Sequence, residues 1–190
     1  MGASLERSTA MSASPSAEVV RRGFAPMTGL NVESISSHRW EDSNGPRGQR
    51  VLISTRDGKS LAAIYCDVKD ATAGAVLFHG NGMTHEDMVD FARVYTNAGV
   101  AVLAITLRGY GDSTGGDGSV PVDGEAGMYL DATAAVDYML ARNFSPERLV
   151  AHGFSLGGSM AAAAACHHKL GGLVLDHTFT SALDETAHVG

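Results

Sequence analysis

The chain has 190 residues, 44% of them hydrophobic, which is enough for one globular unit with its own core and argues against disorder throughout. Its formal charge of -7 leaves no basic stripe, which disfavours nucleic acid and anionic membrane surfaces as partners. The two cysteines, Cys66 and Cys166, are too far apart for a metal-ligand pattern, and no apolar run approaches the roughly 20 residues that span a bilayer.

Residues 1–48 are rich in Ser and Ala and lack a sustained apolar period. They read as a mobile leader to a domain over residues 49–190, with His38 and Trp40 the first residues expected to dock on it. Arg21-Arg22 resembles the start of a twin-arginine export signal, and Arg7, Arg21 and Arg22 among serines resemble a transit peptide. Asn31 and Glu33 interrupt the first pattern, and Glu6 and Glu18 weaken the second, so a cytoplasmic location is the expectation.

Arg50 to Thr55 and Leu61 to Cys66 are β-rich runs around Arg56-Asp57-Gly58-Lys59, whose Asp-Gly pair favours a hairpin turn. Ala75 to Phe78 is continuously apolar, as a parallel strand covered on both faces would be, and leads into His79-Gly80-Asn81-Gly82. Thr84, with Glu86 and Asp87 behind it, marks a helix start. Met88, Phe91, Ala92 and Tyr95 share a face of that helix, and Gly99 stops it. Val100 to Leu107 is the next strand, followed by Arg108-Gly109-Tyr110-Gly111-Asp112-Ser113. Asp123 can cap a helix with Tyr129, Ala132, Val136, Met139 and Leu140 on one face, ending before Ser145-Pro146. Leu149 to Ala151 then reads as a short buried strand, Leu156 to Lys169 as a helix, and Leu173 to Leu175 as a last buried strand closing on Asp176-His177. This order predicts an α/β fold: an open, mostly parallel sheet of about six strands with an N-terminal hairpin and helices on both faces.

Between the fifth strand and its helix lies Gly153-Phe154-Ser155-Leu156-Gly157, the G-x-S-x-G pattern of a nucleophile elbow, where glycines two before and two after the serine let strand and helix pass closely. The pattern alone also fits a plain strand-to-helix turn. Strand direction, however, brings His79 to Gly82, Arg108 to Ser113, Ser155 and Asp176 to the carboxyl end of the sheet, where open α/β sheets bind ligands.

With these three motifs in this order, the stretch from Arg50 to Leu183 resembles the α/β-hydrolases, in particular the group of serine aminopeptidase-like and monoacylglycerol-lipase-like enzymes. The resemblance implies Ser155 as nucleophile, the backbone N–H groups of Asn81 and Leu156 as oxyanion hole, a small-molecule ester or amide as substrate, and no cofactor or metal. Small esters or acylglycerols are preferred over peptides, because nothing specifies a peptide pocket or a lid. His79, Arg108 and Asp112 read as structural, His152 as a packed strand residue, His85 as a cap or solvent-facing residue near the pocket rim, and Cys166-His167-His168 as a surface helix end.

In the resembling family the acid and the histidine usually follow the seventh and eighth strands. The chain therefore reads as the N-terminal two thirds of such a domain, truncated before the catalytic Asp and His. Ser155, Asp176 and His188 nevertheless keep the family's order of nucleophile, acid and base, with His177 as a further candidate base; a turn or capping role for Asp176 is the competing reading. On the truncated reading, Leu173 to Leu175 would form an open sheet edge that invites self-association. Two functions are thus expected: a serine hydrolase, or a non-catalytic fragment that needs a partner to complete its sheet.

Overall fold

The computed structural model describes Trp40, residues 46–117 and residues 124–178. Gln49–Ser54 (β1) and Ser60–Cys66 (β2) pair antiparallel around a turn in which Gly58 takes a φ of 77°. Thr55 closes this turn, donating its hydroxyl to Asp57 at 2.5 Å and accepting the Lys59 N–H at 2.9 Å. The remaining strands are Gly74–Phe78 (β3), Ala101–Ile105 (β4), Leu149–Phe154 (β5) and Gly172–Asp176 (β6). They form one mixed sheet in the order β1-β2-β4-β3-β5-β6, antiparallel through β2 and β4 and parallel from β4 onward.

Every residue of β3 and β4 is buried, which is why both strands are apolar without alternation. Their alternate side chains feed two cores. On one face Ala75, Leu77, Val102 and Ala104 meet Met88, Val89 and Ala92 of the first helical segment. That segment begins as a 3-10 turn, His85–Met88, under a capping box in which Thr84 accepts the Glu86 N–H and Asp87 returns a bond to the Thr84 N–H. It continues as Val89–Asn97 (α1), and Gly99, at a φ of 79°, follows its end. Trp40, 4% exposed, packs into this same core beside Ile64 and Cys66. His38 and Asp123 lie outside the described residues.

On the opposite face Val76, Phe78, Leu103 and Ile105 are covered by Gly124–Leu140 (α2) and Gly157–His168 (α3). The buried side of α2 is displaced from the expected one. Met128, Asp131, Ala132, Ala135, Val136 and Met139 are buried, whereas Tyr129 and Leu140 only partly cover the core. The cause is that α2 packs against α3 as well as the sheet, so small residues go inward on two sides and a buried carboxylate joins them. Leu173 to Leu175, read as a buried strand in sequence order and as an open edge on the truncated reading, form the sheet edge, their side chains 43%, 39% and 49% exposed. Among the described residues, no helix is long and apolar enough to cross a membrane.

Candidate active site

The turn from β5 into α3 bends at Ser155, whose φ of 50° lies in the left-handed region. For a residue with a Cβ this conformation costs about 1–2 kcal/mol and persists only where neighbours fix it. Here the Ser155 N–H donates to the Asp176 carbonyl at 2.9 Å, and the Ser155 carbonyl accepts the Gly158 N–H at 2.9 Å and the Thr178 hydroxyl at 2.7 Å. The flanking glycines are dictated by backbone contact. A Cβ on Gly153 would lie 2.2 Å from the Gly157 oxygen, and one on Gly157 would lie 2.1 Å from the Phe78 oxygen.

The loop after β3 lies against the serine. A Cβ built on Gly80 would sit 3.3 Å from the Ser155 Cβ and 3.0 Å from the Phe154 ring, so a side chain there would crowd both neighbours by a few tenths of an ångström. Asn81 is next in this loop, half-buried, and its side-chain oxygen accepts the Tyr110 hydroxyl at 2.8 Å. The Tyr110 ring in turn stands edge-on to His79, with centroids 5.0 Å apart. Leu156, 2% exposed and helical in backbone, is the N-cap of α3. Amides at such a start have no intrahelical acceptor and carry the positive end of the helix dipole.

His79 is fully buried, its Nε2 accepting the Leu107 N–H at 3.0 Å and its Nδ1 2.7 Å from the Gly80 oxygen. These partners fix the tautomer with the proton on Nδ1. Burial pushes its pKa down to about 4, so the ring is neutral and joins the ends of β3 and β4 rather than moving protons. His85 corrects the expectation of a solvent-facing residue: it is 3% exposed, with Nδ1 2.6 Å from the Thr106 hydroxyl oxygen, which also accepts the His85 backbone N–H. Burial likewise lowers its pKa to about 4. His152 is packed in β5, its Nδ1 3.2 Å from the Tyr95 hydroxyl and its ring edge-on to Phe91.

Arg108 is 2% exposed and held from two sides. Its backbone N–H and Nε reach the two oxygens of Asp131 on α2, each at 2.9 Å, while its outer nitrogens reach Asp57 in the β1–β2 turn at 2.6 and 3.0 Å. Asp112 is exposed and lies 3.4 Å from Arg50. Asp131 and Thr178 are contributors that sequence reasoning missed, and Tyr110 was noted only as part of the loop after β4, because each acts through polar bonds to a distant segment.

Asp176 ends β6 opposite Phe154 and touches the elbow through its backbone carbonyl. Its carboxylate bonds His177, an exposed residue with a φ of 48°. His188 lies outside the described residues. Ser155, Gly80-Asn81, Leu156 and the tip of β6 therefore share one corner at the carboxyl end of the sheet.

This architecture recurs in solved α/β-hydrolases. An alpha-beta hydrolase from Vibrio vulnificus matches with a TM-score of 0.67 at 24% identity, over 94% of this chain and 64% of its own. Esterase Pf2001 of Pyrococcus furiosus matches with a TM-score of 0.61, also at 24% identity, over 73% of this chain and 54% of its own. The class is that of the α/β-hydrolases. Within it, the chain belongs to the serine aminopeptidase (S33) family, whose profile spans residues 69–180. Protein bem46 of Schizosaccharomyces pombe is 29% identical over 143 residues, covering 72% of this chain and 46% of its own length. The multifunctional-autoprocessing repeats-in-toxin protein of Vibrio vulnificus is 35% identical over 120 residues, 58% of this chain and 2% of its own. The chain thus spans about half the length of the yeast relative and a small part of the toxin.

Proposed function

We propose that this protein is a serine hydrolase that cleaves a small-molecule ester, or an amide, through an acyl-enzyme on Ser155. The observation that carries the reading is the left-handed turn at Ser155 with Gly80 against its Cβ. In this mechanism the Ser155 oxygen bonds to the substrate carbonyl carbon, its proton passes to a histidine, and the carbonyl electron pair moves onto oxygen. The backbone N–H groups of Asn81 and Leu156 receive that oxyanion, each contributing about 3 kcal/mol by mutational precedent. Collapse expels the alcohol or amine, which takes the proton back, and water repeats the sequence to free the acid.

For the proton acceptor, the order nucleophile, acid, base assigns Asp176 and His188, and His177, bonded to Asp176, is the second candidate. The net charge of -7 supports a small molecule over nucleic acid as the partner.

The full-length protein is expected to label with a fluorophosphonate probe and Ser155→Ala to abolish labelling. Labelling that survives Ser155→Ala, or none of the folded wild type, rejects the reading. His188→Ala and His177→Ala, assayed separately, identify the base. Full activity in both places it elsewhere in the full-length protein.

A second reading is favoured by one observation, the exposure of Leu173, Val174 and Leu175 along β6. On it the chain is a non-catalytic unit whose sheet is completed by another strand, from a partner or a second copy. A folded protein that fails to label and elutes as a dimer is its expected signature.

A further inference from the structure

We propose that Thr178 is a positioning residue that aims the oxyanion-hole amide of Leu156; this rests on the reading of Ser155 as nucleophile. The Ser155 carbonyl and the Leu156 N–H belong to one planar trans peptide and point in opposite directions, so whatever fixes the carbonyl also fixes the amide. Two bonds fix that carbonyl. The bond from the Gly158 N–H belongs to the turn itself, whereas the bond from the Thr178 hydroxyl, at 2.7 Å, comes from the chain just beyond β6.

Thr178 is seated for this task by a missing side chain. A Cβ on Gly158 would lie 1.9 Å from the Thr178 Oγ1 and 2.5 Å from its Cβ, so the threonine occupies the space that any other residue at 158 would fill. The peptide on the other side of the nucleophile is held from the same place, because the Ser155 N–H donates to the Asp176 carbonyl at 2.9 Å. The tip of β6 therefore orients both peptide planes that flank the serine. Asp176 does so through its backbone, which substitution leaves in place; Thr178 does so through a hydroxyl, which substitution can remove.

An amide aimed at the oxyanion acts on the transition state and not on ground-state binding, so its misalignment lowers kcat and leaves KM. The test is hydrolysis of a p-nitrophenyl ester by full-length wild type, Thr178→Val and Thr178→Ser. Thr178→Val, nearly isosteric without the donor, is expected to lose roughly tenfold in kcat with KM within about twofold, and Thr178→Ser to restore most of the loss. Unchanged kcat in Thr178→Val, a loss confined to KM, or no recovery in Thr178→Ser overturns the proposal. If wild type labels at Ser155 while Thr178→Val turns over normally, only the role of Thr178 falls; if wild type neither labels nor hydrolyses, both readings fall. Should Thr178→Val not fold, Thr178→Ala takes its place under the same criteria. Failure of both to fold assigns Thr178 to stability alone and overturns the proposal.

Discussion

Gly157 has no tolerance for a side chain, because the Cβ of an alanine would meet the Phe78 carbonyl oxygen at 2.1 Å and the His79 oxygen at 2.8 Å, both of them backbone atoms. Gly157→Ala is expected to lower stability by about 3 kcal/mol or to prevent folding, as followed by urea denaturation. Tyr110 permits a gentler change. Tyr110→Phe removes the hydroxyl that bonds Asn81; it is expected to cost about 1 kcal/mol of stability and, on the proposed reading of Ser155, to slow phosphonylation of that serine several-fold, measured as the rate of fluorophosphonate labelling. His79 carries a pH dependence. Its ring titrates near 4 in the folded protein and near 6.5 when unfolded, so between these values the unfolded chain binds a proton that the folded chain refuses. The contribution of neutral His79 is fully present above pH 6.5 and is lost as pH falls toward 4, by about 3 kcal/mol at the lower end. Urea midpoints of wild type should therefore fall over this window, more steeply than those of His79→Gln, with His85 accounting for part of the remaining slope. The Ser155 turn was legible because its geometry demands glycines at fixed offsets. Thr178 was not, because a hydroxyl bonding a carbonyl 23 positions earlier leaves no local pattern.

At the scale of elements, Arg108 ties together the end of β4, the middle of α2 and the β1–β2 turn through polar bonds. Arg108→Met would leave Asp131 fully buried with its main partner gone. The expected loss is about 3–5 kcal/mol, read by thermal or urea unfolding. Asp57 is the more solvated partner, its side chain 28% exposed, and Asp57→Asn should cost far less. This tie also explains where the reading of α2 went astray. Apolar periodicity finds the stripe that faces a sheet, but Asp131 enters the core through a charge partner 23 residues earlier, and the contact with α3 widens the buried side. The start of the first helical segment, the 3-10 turn ahead of α1, was legible, since Thr84 and Asp87 are themselves its capping box.

For the whole molecule, the antiparallel start and the parallel centre of the sheet could be anticipated from two kinds of run, the turn-linked hairpin of β1 and β2 and the fully apolar β3 and β4. The exposure of β6 was expected on the truncated reading and came from the place of that strand in the sheet, not from Leu173-Val174-Leu175 itself, because a short apolar run looks the same whether or not a neighbour covers it. If that edge recruits a second copy, Val174→Lys should shift the protein toward monomer in light scattering at concentrations where wild type associates. The two hydrogen bonds from the far end of β6 to the Ser155 peptide have a further consequence for biogenesis. Ribosomes deliver a chain from its amino terminus, so residues 149–168 emerge ahead of residues 172–178. A nascent polypeptide paused before Gly172 would already own the serine, yet its hydroxyl would sit on a slack bend; on the proposed reading of Ser155, ripening of the nucleophile waits for a strand synthesised after it.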